Sequence, residues 1–254
     1  MVTDFEHARS LLADARSVAV LTGAGMSAES GVPTFRGFEG LWKSHRPEEL
    51  ATPEAFERDP LLVWEWYGMR RELMAAVEPN PGHYALARFA LSRDRVRIIT
   101  QNVDGLHTRA AREEAGEGDP EPAIPLELHG GLFRDQCSGC GRRSDPPGPV
   151  DASRMETLPR CRVCNELTRP DVVWFGEMLD PVVLTSAFEI AETADVCIVV
   201  GTSALVQPAA SVPLGTLRRG GAIIEVNPEP TPLSSQVAAE LRGPSGEILP
   251  DLLG

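Results

Sequence analysis

The 254-residue sequence lacks two features that would place it on nucleic acid or in a membrane. The sequence has fewer basic than acidic residues, with 24 Lys and Arg against 37 Asp and Glu, and its formal net charge is -13. A protein that binds the phosphate backbone needs a basic surface, so we expect no direct nucleic-acid partner. No apolar run approaches the ~18 residues that span a bilayer, so we expect no membrane contact. The acidic balance suits solubility and would also favour cationic partners such as lysine-rich segments.

Cysteine is also scarce, and its arrangement is informative. The N-terminal stretch has no basic segment followed by an apolar one, so we expect no secretory signal and a cytoplasmic chain. Four of the five cysteines form two close pairs, Cys137-x-x-Cys140 and Cys161-x-x-Cys164. Four thiolates at this spacing can close a tetrahedron around one zinc ion without leaving a position for water, so the zinc would be structural. Two disulfides or a redox-active Cys-x-x-Cys pair are the alternatives to zinc. The fifth cysteine, Cys197, lies in an apolar run and is expected to be a buried core thiol.

What the sequence does contain is an alternation of apolar runs and helical patterns. At 42% hydrophobic and 24% charged residues, the chain can build a sizeable core. Strands are predicted over 17–21, 96–100, 126–128, 195–200 and 222–226, with helices between most of them. Residues 38–80 resemble a helical insertion, with one helix from Pro60 to about Ala76. Residues 113–122 are acidic and are expected to form a solvated loop. The alternation predicts an α/β fold with a doubly wound parallel sheet, in which ligands bind beyond the carboxyl ends of the strands.

A Gly-x-Gly follows the first predicted strand directly. Gly23 would allow a tight turn, and Gly25 would let the backbone approach a pyrophosphate at the start of a helix. The third glycine position of the dinucleotide fingerprint is Ala28, and a simple tight turn is the alternative. Phe35 and Arg36 follow shortly, and such side chains can cover a ring and pair with a phosphate.

The whole stretch from Gly23 to Gly37, Gly-Ala-Gly-Met-Ser-Ala-Glu-Ser-Gly-Val-Pro-Thr-Phe-Arg-Gly, resembles the NAD-binding signature of the sirtuins, the NAD-dependent protein deacylases. Many sirtuins carry Asp where this chain has Thr34, and Thr resembles the desuccinylase and demalonylase branch. The resemblance covers nearly the whole chain. It implies a Rossmann-like NAD-binding domain and a smaller lobe made of the helical insertion and a four-cysteine zinc module. The implied domain ranges are 1–37, 82–131 and 178–254 for the former, and 38–81 with 132–177 for the latter.

The resemblance also assigns catalytic and NAD-binding roles. Leu128-His129-Gly130 is similar to the segment of the catalytic histidine, and an imidazole can accept a proton near neutral pH. Gln101-Asn102-Val103-Asp104 is similar to the loop that holds the nicotinamide ribose and lines the nicotinamide pocket. On the residues alone, His129 could be structural and the loop a polar turn. The resemblance implies catalytic roles for His129, Asn102 and Asp104. The implied NAD contacts are Gly23, Ala24, Gly25, Ser27, Ala28, Glu29, Thr34, Phe35, Arg36, Trp42, Gln101, Asn102, Val103, Asp104, Gly201, Thr202, Ser203, Asn227, Pro228, Glu229 and Ser245.

Two further segments resemble substrate contacts. Val173-Trp174-Phe175-Gly176-Glu177 is similar to the family's substrate segment, where extended backbone can add a strand to a bound peptide; a core strand is the alternative. Tyr67 and Arg70 lie three residues apart on the predicted helix, so both project from one face. A phenol and a guanidinium together can bind a carboxylate, although a half-buried tyrosine and a solvated arginine would look the same in sequence. Tyr-x-x-Arg here resembles the desuccinylase and demalonylase branch.

The function implied by the resemblance is NAD-dependent removal of acyl groups from lysine side chains of other proteins. Succinyl and malonyl groups would be removed as well as acetyl, giving nicotinamide and O-acyl-ADP-ribose. NAD would be the co-substrate, one structural Zn²⁺ the metal, and the chain a monomer. The alternatives are a protein ADP-ribosyltransferase that uses the same cleft, and a non-enzymatic zinc-ribbon interaction module.

Overall fold

The larger part of the molecule is built on a parallel sheet. The computed structural model describes residues 3–33, 45–145 and 148–254. Within these ranges, six parallel strands follow the order β3-β2-β1-β7-β8-β9. They are β1 (Val18–Thr22), β2 (Val96–Thr100), β3 (Leu126–Glu127), β7 (Val196–Val200), β8 (Ala222–Val226) and β9 (Ala239–Leu241). The five predicted strands are therefore confirmed, and β9 is added at one edge.

Helices cover both faces of this sheet, because alternate strand residues point to opposite sides. Val18 and Val20 face a core formed with α1, α5, α6 and α9, whereas Ala19 and Leu21 face α7 and α8. The helices are α1 (Asp4–Asp14), α5 (Pro81–Ser92), α6 (Leu106–Ala115), α7 (Pro181–Thr193), α8 (Leu214–Arg218) and α9 (Ser245–Leu253). This arrangement confirms the doubly wound, Rossmann-like fold. Among the described residues, no helix combines the length and the apolar character needed to cross a membrane.

A smaller lobe joins the helical insertion to the cysteine region. Its helices are α2 (Pro47–Leu50), α3 (Pro53–Arg58) and α4 (Pro60–Ala75), and its antiparallel strands are β4 (Gly130–Cys137), β5 (Arg143–Ser144) and β6 (Thr168–Val172). Both parts share one core, in which Trp64, Trp66 and Tyr67 of α4 pack with Leu132 and Trp174. The lobe is therefore a single packed unit. The domain boundaries at residues 37, 81, 131 and 177 stay predictions.

The strand order fixes where the two halves of the sheet diverge. From β1 the chain proceeds to β2 and β3 on one side, and it returns at β7 to build β8 and β9 on the other. The crevice at the carboxyl ends of β1 and β7 is thus the topological switch point, the usual ligand position in such sheets.

The helix α6 was not predicted, and neither was α9. Residues 113–115, expected in a solvated loop, instead complete α6, whose N-cap Gly105 has a φ of 77°. The buried side of α6 is made of Leu106, His107, Ala110 and Ala111. The buried side chains are mostly small or polar and the helix as a whole is polar, so no apolar run indicated it in the sequence.

Candidate active site

The glycine stretch after β1 meets the end of β7 at the switch point. The N–H of Gly25 donates to the carbonyl of Gly201 at 2.7 Å. A Cβ on Gly25 would lie 2.8 Å from the Gly201 Cα, and Gly201 itself has a φ of 58°. Glycine is therefore needed at both positions so that the loop after β1 can pack against the loop after β7. This requirement adds to any need for the backbone to approach a phosphate. The chain continues from Ala24 to Ser30 as a 3-10 helix.

Four of the predicted NAD contacts, Thr34, Phe35, Arg36 and Trp42, lie outside the described residues.

Asn102 lies at the centre of the contacts between the ends of β1 and β2. Its Nδ2 donates to the carbonyl of Gly23 at 3.0 Å and to Ser27 Oγ at 3.1 Å. Since Nδ2 makes both bonds, the amide orientation is defined and Oδ1 is the remaining acceptor. The Ser27 hydroxyl donates onward to Asp104 Oδ2 at 2.7 Å, and Leu106 N–H donates to Oδ1 of the same carboxylate at 2.9 Å. Burial raises the pKa of Asp104, while these hydrogen bonds oppose the rise.

His129 follows β3 and is oriented by backbone. Its Nδ1 lies 2.9 Å from the carbonyl oxygen of Gln101. A carbonyl can only accept, so Nδ1 carries the hydrogen and Nε2 keeps a lone pair. Burial lowers the pKa of His129, so the ring is neutral at neutral pH and can act as a base. The Gln101 side chain donates in turn to Thr202 Oγ1 at 3.0 Å, which connects the ends of β2 and β7.

The residues after β7 and β8 form the opposite wall of the switch point. Gly201 and Thr202 are buried and Ser203 is half-buried. The Asn227 side chain donates to the carbonyl of Glu229 at 2.9 Å, while Pro228 and Glu229 are exposed. The roles predicted for these residues stay predictions.

The contacts that hold the loop after β8 were not predicted from the sequence. Glu225 on β8 is 1% exposed and pairs with Arg242 at 2.8 Å. Its carboxylate also accepts from Thr231 and from Ser234, and Arg242 donates to the carbonyl of Glu229 at 3.1 Å. A lone acidic residue in an apolar strand was the only signal that could have indicated the buried Glu225 and its ion pair with the more exposed Arg242.

Glu29 and Ser245 meet at the start of α9. The Glu29 carboxylate accepts from the N–H of Gly246 at 2.6 Å and lies 3.4 Å from Ser245 Oγ. A carboxylate at this position satisfies a free N–H of the helix terminus. The structure thus gives Glu29 a partner within the protein, and its predicted NAD contact stays a prediction.

The segment from Val173 to Glu177 is tied to the site by backbone and side-chain contacts. The N–H of Val173 donates to the carbonyl of His129 at 2.9 Å. Glu177 accepts from the N–H of Trp174 at 2.8 Å and pairs with Arg169 at 2.9 Å, which closes a turn at Gly176. β6 ends at Val172, so the segment is not a core strand. Phe175 is 48% exposed.

Tyr67 and Arg70 lie on α4 against this segment. Tyr67 is fully buried, and its hydroxyl oxygen accepts from Trp174 Nε1 at 2.8 Å. The Arg70 guanidinium lies 4.8 Å from the Trp66 ring centre and 5.6 Å from that of Tyr67. Burial lowers the pKa of Arg70, whereas the charge of Asp104 opposes this effect. Arg70 is therefore close enough to Asp104 to interact with its charge, and it is half-buried rather than solvated.

The two neighbouring arginines of α4 differ in their partners. Arg71 pairs with Asp135 at 2.7 Å. Among the described residues, Arg70 has no carboxylate within ion-pair distance. The half-buried guanidinium, with Asp104 as a more distant negative charge, is therefore suited to an anionic ligand group.

Two buried histidines near the site were also missed. The rings of His83 and His107 lie 4.7 Å apart, and both side chains are less than 5% exposed. His83 Nδ1 accepts from the N–H of Asn80 at 3.2 Å, and its Nε2 lies 3.4 Å from Ser27 Oγ. Burial lowers the pKa of both rings, to about 4 for His107. The five histidines of the sequence have no spacing that could have separated these two from the others.

The two cysteine pairs converge at the end of β4. The ligand atoms of Cys137, Cys140, Cys161 and Cys164 lie within 4.8 Å of one another. The Sγ atoms of Cys137 and Cys164 are 3.3 Å apart and those of Cys140 and Cys161 3.7 Å, so the thiols are free. With Zn–S bonds of ~2.3 Å, tetrahedral coordination places the sulfur atoms ~3.8 Å apart, which fits this cluster.

The backbone around the cluster favours thiolates. Hydrogen bonds from the N–H groups of Cys164 and Val163 lower the pKa of Cys161 to about 6. The four free thiols and the short distances between them suit the cluster to a structural zinc rather than to disulfides. Cys197 is fully buried in β7, as expected for a core thiol.

Comparison with known proteins agrees with this site. The model of the Sir2 family matches residues 23–208. The NAD-dependent protein deacylase of Thermococcus kodakarensis is 49% identical over 250 residues, covering 97% of this chain and 93% of that protein. A solved Sir2 homologue–NAD complex has a TM-score of 0.85 at 46% identity and covers 98% of this chain and 92% of its own. A Sir2 bound to acetylated peptide has a TM-score of 0.79 at 29% identity, with 96% and 94% covered. The resemblance to the sirtuins is thus confirmed over nearly the full length, and the chain belongs to the Sir2 family.

Proposed function

We propose that this protein is an NAD-dependent protein deacylase that removes acyl groups from lysine side chains of other proteins. The observation that carries the proposal is the orientation of His129, whose Nε2 is an unprotonated base at the carboxyl edge of a Sir2-family sheet, beside the loop that follows β2. Relatives named NAD-dependent protein deacylase and a family member bound to acetylated peptide support the substrate class.

The residues at the switch point fit NAD. The loops that start at Gly23 and Gly201 offer backbone N–H groups, and Asn102 offers an acceptor to a ribose hydroxyl or a water molecule. Bound NAD supplies an anomeric carbon from which nicotinamide can leave and to which an acyl group can pass. Asp104 would bind the carboxamide of nicotinamide beside Asn102. His129 would accept a proton at Nε2 from a ribose hydroxyl and hold it on a ring that Gln101 keeps in place.

Removal of acidic acyl groups is a further part of the proposal. Arg70 makes no ion pair with the described residues, and Tyr67 can still donate its hydroxyl hydrogen because its oxygen accepts from Trp174. Together they could bind the carboxylate of a succinyl or malonyl group. Thr34 matches the same branch of the family but lies outside the described residues.

The remaining assignments follow the same reasoning. Residues 173–177 would bind the peptide backbone, with Phe175 exposed at the segment's surface. The four-cysteine cluster would hold one Zn²⁺ that stabilises the small lobe and takes no part in chemistry, because no ligand position remains open. A monomer in the cytoplasm without nucleic-acid partners stays our expectation.

The proposal is tested by mass spectrometry of an acyl-lysine peptide incubated with the protein and NAD. Deacylation removes the acyl mass from the peptide and produces nicotinamide and O-acyl-ADP-ribose in equal amounts. A peptide or protein that gains the mass of ADP-ribose while the acyl group remains would indicate an ADP-ribosyltransferase. No consumption of NAD by the zinc-loaded protein would overturn both and favour a non-enzymatic module.

A further inference from the structure

A chain of buried polar side chains leads from α6 to the backbone of Asn102. We propose that His107 is a positioning residue for Asn102 and acts through the hydroxyls of Thr22 and Thr100. The activity part of this inference rests on the proposed deacylase function, whereas its structural part does not.

The contacts form a continuous series. His107 Nε2 lies 2.9 Å from Thr22 Oγ1, and the Thr22 hydroxyl donates to Thr100 Oγ1 at 2.8 Å. Thr100 Oγ1 also accepts from the N–H of Asn102 at 3.0 Å. All four residues are at most 8% exposed, so water does not substitute for a lost partner at low cost.

The direction of these hydrogen bonds determines which ring nitrogen of His107 carries the hydrogen. Because Thr22 donates its hydrogen to Thr100, the Thr22 oxygen must accept from the histidine, and Nε2 carries the hydrogen. His107 is packed against the ring of His83, and burial lowers the pKa of His107 to about 4. The imidazole is therefore a neutral and fixed donor near neutral pH.

This series complements the contacts of the Asn102 side chain. Thr22 and Thr100 are paired at the ends of β1 and β2, so the series anchors the backbone of Asn102 to the sheet. The amide group is held separately by Gly23 and Ser27. Because hydrogen bonds hold both the backbone and the amide group of Asn102, its Oδ1 has one defined position. A side chain that binds a ligand needs such a fixed position.

The test compares His107→Leu with His107→Gln, because the Nε2 of glutamine can replace the donor of the imidazole. We expect kcat for nicotinamide release to fall about three- to tenfold in H107L, as for loss of one buried hydrogen bond. H107Q should stay within about twofold of wild type. Thr22→Val interrupts the same series, so we expect a similar fall, and the double variant H107L/T22V should be no slower than T22V alone.

Two measurements do not depend on turnover. In NMR spectra of the protein without NAD, the His107 ring should be neutral with its hydrogen on Nε2. The amide hydrogen of Asn102 should exchange about tenfold faster in H107L than in H107Q. Ala110→Gly, on the same helix and fully buried, is the control for general destabilisation and should lower Tm while leaving kcat unchanged.

Three results would each overturn the inference. They are unchanged kcat and Asn102 exchange in H107L, an H107Q variant as impaired as H107L, or a ring that carries its hydrogen on Nδ1. Failure of the deacylase proposal would give a different result, because the wild-type protein itself would release no nicotinamide. The NMR measurements would still decide the role of His107 in that case.

Discussion

The indole N–H of Trp174 donates a 2.8 Å hydrogen bond to the hydroxyl oxygen of Tyr67. This bond joins α4 of the small lobe to the segment that starts at Val173. The same segment is bound to the backbone carbonyl of His129 through the N–H of Val173 at 2.9 Å. The proposed acyl-carboxylate site and the proposed base are therefore connected by two hydrogen bonds through adjacent residues.

Changing Tyr67 to Phe tests this connection. The variant leaves the buried Trp174 N–H without an acceptor, so we expect the free energy of unfolding to fall by about 1–3 kcal/mol. It also removes the donor to an acidic acyl group, so desuccinylation should fall more than deacetylation. Urea denaturation and peptide kinetics measure the two effects. Tyr84→Phe is the matched control, because the Tyr84 hydroxyl donates to the exposed Glu113, and neither quantity should change much.

His129 should set the acid limb of the pH profile. A base must be neutral, so kcat/KM should fall as the pH drops through the pKa of His129, which burial holds below its ordinary value of about 6.5. His129→Asn should lower kcat by about 10²- to 10⁴-fold and leave the Kd of NAD within a few-fold of wild type. His7→Asn, on the exposed face of α1, should leave the profile unchanged. An acid limb centred above pH 7 would contradict this assignment.

His107 should make stability depend on pH. Its pKa is lowered to about 4 in the folded state, so between pH 6.5 and 4 the unfolded chain binds a proton that the folded chain does not. The free energy of unfolding should therefore decrease as the pH falls through this window, by up to ~1.4 kcal/mol per pH unit for one proton. Comparing wild type with H107Q isolates this contribution, and the variant should show the shallower dependence. Parallel curves would mean that His107 titrates alike in both states.

Metal content should follow the four-cysteine cluster and not the fifth cysteine. Cys161→Ser removes one of four thiolate ligands, so we expect the variant to lose zinc and the small lobe to unfold at lower temperature. Cys197→Ala, which changes only the buried thiol of β7, should keep one zinc per chain. Metal analysis of the purified proteins and thermal denaturation with and without a chelator measure both effects.

The fold could be predicted from the sequence because its strands are short, apolar and separated by clear turn and capping signals. Asp59-Pro60 marks the start of α4, and the structure has Asp59 as its N-cap. α6 could not be predicted in the same way, since its buried residues include His107 and two alanines. Its amphipathic pattern contains too few large apolar side chains to stand out from the polar sequence around it.

The site was predicted through motifs, whereas its supports were not. The positions of Asn102, Asp104 and His129 follow from loops at strand ends, which a parallel sheet brings together. Two of them are oriented by residues far away in sequence, since Ser27 donates to Asp104 and the Asn102 amide donates to the carbonyl of Gly23. These partners depend on tertiary packing, which a motif does not specify.

The most direct test of the account compares one lysine peptide that carries acetyl, succinyl or malonyl, with NAD present and nicotinamide release monitored. We predict turnover of all three, with a higher kcat/KM for the acidic groups, and a loss of that preference in Arg70→Met. Arg70→Lys keeps the charge but not the planar guanidinium, so it should retain only part of the preference. A wild-type preference for acetyl, or an equal loss for all three peptides in R70M, would contradict the acyl-carboxylate site, and no turnover of any peptide would contradict the deacylase function itself.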